Sequence, residues 1–320
     1  MKKMSLLLPR NLLRDGVLLA LLVLTSFVMS RLSPDFLTSA NLLETTRHFV
    51  EVGLISLTMT FIILSAGIDL SVGSNVALCA VMLGQAREFW HWNVWGAAAF
   101  ALGVGTCAGA FNGVLIAKLR LPPLVVTFIT WQAFRGIAEG VSKGNAVSNF
   151  PASFRVLGQH SVGGVPTQFL IFIAACLVGY IALSRTQWGR FVYAIGNNEA
   201  AARLSGVPVD RVKVLLYALS GFVSAGAGVI LVSRVSTARS DMGDGYELDA
   251  ITAVVLGGTN IAGGEGGIIG TILGLLIVSA VRNGLSLANT QTGNYPNELQ
   301  AVIIGVLLIA AVWIGRRVQR

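Results

Sequence analysis

Charge is scarce in this chain. Asp, Glu, Lys and Arg make up 12% of its 320 residues, while 54% are hydrophobic and the mean hydropathy is +0.73. An ordinary soluble domain carries roughly 25% charged residues. A water-soluble fold cannot hide so much apolar side chain, so the bilayer is the expected solvent. Cysteine is scarcer still. Cys79, Cys107 and Cys176 stand alone in apolar stretches, without a CxxC pair or a histidine at ligand spacing. They read as small packing residues, which excludes a disulfide framework, zinc binding and thiol redox chemistry. The three histidines, His48, His91 and His160, fall in outer loops or at span ends, where a solvated surface role is expected. A GxxxxGK[ST] phosphate loop is also missing, since "SKGN" at 142–145 is not one. Neither a Ser/His/Asp set nor paired carboxylates form an organised soluble pocket. No catalytic residue and no metal site are expected, and this chain is not expected to hydrolyse ATP.

What is present is apolar sequence, punctuated by basic residues. The net charge is +8 and the pI about 9.9. The Lys and Arg fall between apolar runs instead of forming a patch, which points to membrane orientation and away from nucleic acid. Hydropathy marks spans near 15–32, 49–66, 70–84, 94–117, 122–138, 167–184, 214–232 and 299–315. The first follows a basic start and lacks a small-x-small cleavage signal, so an uncleaved span is expected. Between 250 and 283 lies "AITAVVLGGTNIAGGEGGIIGTILGLLIVSAV", whose glycine pairs interrupt a continuous helix.

Charge decides how often that region crosses. With the N-terminus inside and two crossings there, the cytoplasmic side holds 14 of the 23 basic residues and five of the 15 acids, Asp69 among them. The two sides then carry net charges of +9 and −1. A single crossing would put Arg316, Arg317 and Arg320 outside, against the positive-inside rule. The expected fold is therefore all-α: one polytopic membrane bundle over 1–320, with about ten transmembrane helices including short or broken ones, and both termini cytoplasmic. The first pass of the glycine-rich region, 251–262, would span only about 18 Å, against a hydrocarbon core of about 30 Å. A helix so short needs shielding by other protein at depth, unless it is a longer helix that tolerates its glycines.

Small residues recur elsewhere, as at Gly103, Gly105, Ala108, Gly109 and Gly113, and read as close helix packing. Residues 49–138 and 214–315 each have an early break and an Asn-Gly pair (Asn112-Gly113, Asn283-Gly284), a weak sign of an internal repeat.

One stretch stands out from this background. "GNNEAAARLSGVPVDRVK", 196–213, is charged and lies between two apolar runs, within a cytoplasmic segment 185–213. Asn198 suits an N-cap, and Glu199 in the first turn suits the helix dipole. Ala200, Ala201 and Ala202 favour helix, Arg203 follows, and Leu204 and Ser205 complete about two turns. Gly206 suits the left-handed position that ends a helix, with Pro208 beyond it. Two readings fit these residues. One is a plain connector obeying the positive-inside rule. The other is a docking helix, with the alanines as a close-contact face and Arg203 as an ion-pair handle for a soluble partner.

The wider sequence supports a resemblance. "GRFVYAIGNNEAAARLSGVPVDRVKVLLYALSGFVSAGAGV", "GIDLSVGSNVAL" (67–78), "GYELDAITAVVLGGTNIAGGEGGIIGTILG" (245–274) and "NGLSL" (283–287) occur in order. Over roughly 36–315 the chain resembles permease subunits of ribose-type ATP-binding-cassette sugar importers. The resemblance implies a multi-pass protein of the bacterial inner membrane that passes a monosaccharide or sugar-like solute inward. It implies pairing with an identical or paralogous permease, and a cytoplasmic ATPase with two nucleotide domains that carries the ATP and Mg. An extracytoplasmic sugar-binding protein would deliver the solute. The family's coupling segment falls on Gly196, Asn197, Asn198, Glu199, Ala200, Ala201, Ala202, Arg203, Leu204, Ser205 and Gly206.

Candidates for the solute path are Thr127, Thr130, Gln132 and Arg135 in the span after Pro122-Pro123, and Asn260 in the short helix. Each could equally be interhelical glue. Where the family shows TLGT, this chain has TFIT at 127–130, which puts Phe128 and Ile129 in place of smaller residues. Asp69 precedes the helix of "LSVGSNVAL", and a capping role at a cytoplasmic turn is expected there. A coupling carboxylate in an ion-driven secondary transporter is the rival role. Two outer loops, 139–166 and 234–249, are polar. The second carries Arg234, Arg239, Asp241, Asp244 and Glu247, and by resemblance would meet the binding protein. An intramembrane enzyme would need paired buried catalytic groups, and none is evident.

Overall fold

The computed structural model describes residues 10–292 and isolated positions 299, 302, 303, 305 and 306. The span expected at 299–315 therefore lies outside the described residues. Long helices form where apolar runs meet a start signal. Thr38 caps α2 (Ser39–Leu64) by accepting from Asn41 N, and Asn93 caps α4 (Val94–Ala117) by accepting from Trp95 N. Pro122-Pro123 opens α5 (Pro123–Ser142), as proline favours the first helical position. With α1 (Arg10–Leu32), α3 (Val72–Glu88), α7 (Thr167–Arg185), α10 (Val209–Val235) and α12 (Ile268–Thr292), these make the bundle. Among the described residues six helices are long and apolar enough to cross a membrane: α1, α2, α4, α7, α10 and α12.

The centre of the bundle is α2, buried on every side from Phe49 to Leu64. Against it runs α10 in the opposite direction, and α10 packs in turn along α4 through glycine. A β-carbon on Gly109 would meet the N and Cα of Gly221 at 2.9 Å, and one on Gly113 would meet Val214 Cα at 2.8 Å. These contacts bring the two helix backbones together where no hydrophobic effect drives association. The Gly109/Gly113 pair thus packs as its spacing suggests. Gly103 does not, since nothing lies within 4 Å of the same point there.

Each half of the chain contains a long helix, a break, a short helix and a second long helix. In the first half these are α2, α3 and α4, of 26, 17 and 24 residues. In the second they are α10, α11 (Tyr246–Leu256) and α12, of 27, 11 and 25 residues. Because α2 and α10 are antiparallel, the two sets enter the bundle from opposite ends. The short helix lies at Tyr246–Leu256, not at 251–262, because the glycines after Leu256 end it. A loop follows in which Gly258, Gly263, Gly264 and Gly266 all have positive φ. Asn260 therefore sits in this loop and not in a helix.

At the end of the bundle opposite this loop, the connections carry short ornaments. α6 (Ala152–Arg155) lies there. β1 (Val147–Ser148) pairs antiparallel with β4 (Thr237–Ala238), Val147 opposite Ala238. β2 (Ser161–Val162) and β3 (Val165–Pro166) form a hairpin, Ser161 opposite Pro166. The β1–β4 pair ties loop 139–166 to loop 234–249, the hairpin stays within the first loop, and the all-α class is unchanged.

Candidate functional site

The charged stretch is built as a brace. Thr186 accepts from Gly189 N to open α8 (Gln187–Asn197), whose Trp188 ring packs 5.0 Å from Phe61 of α2. Asn198, extended at φ −163°, separates α8 from α9 (Glu199–Leu204), and its Oδ1 accepts from Ala201 N at 2.9 Å. Gly206, at φ +83°, then turns the chain into α10. A six-residue helix is marginal alone, and charge holds this one. Lys213 Nζ lies 2.6 Å from Glu199 Oε2, and Arg203 Nη2 lies 2.6 Å from Asp210 Oδ1 and 3.4 Å from Glu199 Oε1. Burial works to raise the Glu199 carboxyl, yet the Lys213 and Arg203 partners hold it below its usual range.

Arg203 is thus engaged within the segment, and is not the free ion-pair handle that its sequence position suggests. Ala202 faces the bundle, whereas Ala200, Ala201 and Leu204 face outward, Leu204 at 91% exposure. The outward face of α9 is small and apolar, and it is framed by a closed ion network.

Behind this face α8 meets the pathway elements backbone to backbone. Gly264 N donates to Leu64 O at 3.0 Å, and the missing side chain of Gly196 is the space in which these two groups meet α8. Tyr193 OH donates to Gly266 O at 2.9 Å. The end of α8 therefore seats on the break after α2 and on the glycine loop after α11. Sequence reasoning missed this joint, whose only signal was clustered glycine in two distant stretches.

Asp69 lies deeper than a surface turn. Its Oδ1 accepts from Ser71 N at 3.0 Å and Ser71 Oγ at 2.6 Å, and its Oδ2 accepts from Ser220 Oγ at 2.8 Å. Ser71, not Asp69, occupies the N-cap position of α3. Ser220 is seven residues along α10 from Lys213, about 10 Å into the bundle. The carboxylate shapes the turn into α3 and fastens it to α10.

The candidates on α5 separate. Thr127 Oγ1 donates within reach of Ile68 O and Pro123 O, and Thr130 Oγ1 is held by carbonyls of its own helix. Gln132 is exposed on the outer side. Arg135 reaches inward, and its Nη1 donates to Met242 O at 3.0 Å and to Ser240 O at 2.5 Å. Asn260 caps its own loop, accepting from Ala262 N.

The outer-loop set also divides. Arg239 and Asp241 pair with each other at the surface, and Asp244 is exposed. Arg234 instead binds Glu51 Oε1 at 2.9 Å inside the bundle, and Glu247 is 5% exposed. Neither is free to meet a soluble partner in this conformation.

Comparison with known proteins agrees with this architecture. A family described as branched-chain amino acid transport system / permease component matches residues 41–312. The ribose import permease protein of Escherichia coli (strain K12) is 38% identical over 312 residues, covering 96% of this chain and 95% of that protein. The ribose import permease protein of Bacillus subtilis (strain 168) is 38% identical, with coverages of 94% and 92%. An autoinducer 2 import system permease protein of Klebsiella pneumoniae is 34% identical, covering 93% and 90%. No solved structure matches. The chain belongs to this permease family, within its ribose-type ATP-binding-cassette branch, and is the membrane subunit of an importer whose ATPase and solute-binding protein are separate chains.

Proposed function

We propose that this permease passes a small polyhydroxylated solute, a monosaccharide or a sugar-like molecule, into the bacterial cytoplasm, and that α9 is its contact with the ATPase. The relatives named for ribose and autoinducer 2 import support that solute class. Two chains, identical or paralogous, pair to enclose the path. The chain crosses ten times with both termini cytoplasmic, an orientation supported by the basic excess at the end bearing α9. ATP and Mg reside on the partner. Closure of its nucleotide domains moves α9, and the bundle alternates between outward- and inward-open forms. After its docking in the outer face, where Arg239, Asp241 and Asp244 lie exposed, the binding protein releases the solute.

The observation that carries the docking reading is Leu204, almost fully exposed at the tip of a helix braced from both sides. A leucine held rigidly in water is a site for a groove on another protein. The test is a pull-down of the tagged chain from mild-detergent membranes. Wild type should retain the ATPase and Ala201→Trp, bulky on the outward face, should lose it. Retention by both, with the variant folded and monodisperse, overturns the assignment. A second permease in the eluate identifies the pair.

A further inference from the structure

From β4 onward the chain descends along α3. Ala238 meets Gly84, Gly243 meets Val76, and the Glu247 carboxylate fills the space that a side chain on Gly73 would take. The passage from Gly84 to Val76 is about 12 Å along the helix. So α11 starts inside the bundle, with its first turn against the first turn of α3. The positive ends of two helix dipoles converge there.

Polar atoms at this place lack partners. Glu247 Oε2 is buried and accepts no hydrogen bond. Across from it on α5, Arg135 Nη2 donates none and lies 3.8 Å from Asp244 Oδ1, beyond hydrogen-bond distance. One turn earlier on α5, the buried Trp131 Nε1 is also unpartnered. Orphaned buried polar atoms are rare and call for an explanation. Two donors one turn apart on α5, which Arg135 ties to the segment leading into α11, and one acceptor in the first turn of α11 do not suit a cation, which an arginine would repel, nor an anion, which Glu247 would repel. They suit a hydroxyl, which donates and accepts at once.

We propose that Glu247, Arg135 and Trp131 form a hydroxyl-binding station for the solute, between α3, α5 and the descending segment 236–245. The inference rests on the import reading above and adds the residues that recognise the solute. Glu247 Oε2 accepts from one hydroxyl, while Arg135 Nη2 and Trp131 Nε1 donate to hydroxyl or ring oxygens. The station is shut in this conformation. Arg135 itself is the latch, through its bonds to the carbonyls of Ser240 and Met242. Opening requires α5 to part from segment 236–245, which exposes the carboxylate and frees the guanidinium together.

The test is cysteine labelling in membranes holding the full chain and its partner subunits, with ATP present. Met242→Cys and Ala138→Cys, buried beside the station on the descending segment and between α5 and α3, leave the three binding side chains in place and should react with a small methanethiosulfonate reagent above the background of the unsubstituted chain. D-ribose, D-xylose or D-galactose at several times its half-saturating concentration should slow labelling roughly tenfold. Absence of labelling at both positions overturns the station. Labelling that none of the sugars slows also overturns it, since the space then holds water only. Where Met242→Cys fails to accumulate, Ala138→Cys carries the same comparison. A failed import reading is separable, because the wild-type chain would then capture no ATPase, whereas a failed station leaves capture intact.

Discussion

Arg234, near the end of α10, places its Nε 2.9 Å from Oε1 of the fully buried Glu51 on α2. The two residues are 183 positions apart, and their ion pair closes the antiparallel contact of the two central helices at the end away from α9. Arg234 also approaches His48 Nδ1 at 3.0 Å, and Gly158 packs on its backbone.

Breaking this pair from one side should leave an uncompensated buried charge. Arg234→Ala should destabilise the detergent-solubilised protein by about 3–5 kcal/mol. The double variant Arg234→Met with Glu51→Leu should recover most of that, because an apolar pair removes both desolvation costs. Melting curves of the three proteins check this, and equal losses in single and double variants would contradict it.

The α4–α10 contact offers a second test. Gly109→Ala should cost about 1–3 kcal/mol by overpacking against Gly221. Gly103→Ala, with open space around it, should be neutral or slightly stabilising through helix propensity. Both are read as melting shifts in the same detergent.

At the tip of α9, Leu204→Asp should weaken ATPase binding by at least about thirtyfold, the scale of an interface hot spot. Its melting temperature should match wild type, since the side chain makes almost no contact within the chain. Titration of purified ATPase against the immobilised permease measures this.

The brace around α9 has a defined pH window. Against the effect of burial, Lys213 and Arg203 hold Glu199 below its ordinary value of 4.5. A depressed carboxyl contributes its stability fully above its unfolded value and loses it as pH falls through the folded one. Hydrogen-exchange protection of α9 should therefore be flat from neutrality down to about pH 5 and fall progressively below about pH 4.5. Asp210→Asn should reproduce part of that loss at neutral pH.

Much of this was legible in the sequence because local chemistry governs it. The expected span 94–117 coincides with α4, and Asn198 and Gly206 bound α9 as their backbone preferences require. What escaped depends on partners far along the chain. Hydropathy placed the start of the short helix at Ile251, since Glu247 and Asp249 look like loop residues. In the fold Asp249 is paired with Arg282, and Glu247 lies against Gly73. Arg234 read as an outer charge for the same reason, its partner Glu51 being invisible to any local window. Asp69 read as a surface cap because the break after α2 could not be seen to re-enter the bundle.

The long–short–long order in each half separates two duties that a transporter must keep apart. Long helices run the depth of the bundle, while α3 and α11 start inside it and border on irregular backbone. A segment so placed can shift by a few ångströms while the outer wall stays put. Such a division would let the barrier to protons and sodium rest on one set of helices and the passage of solute on another.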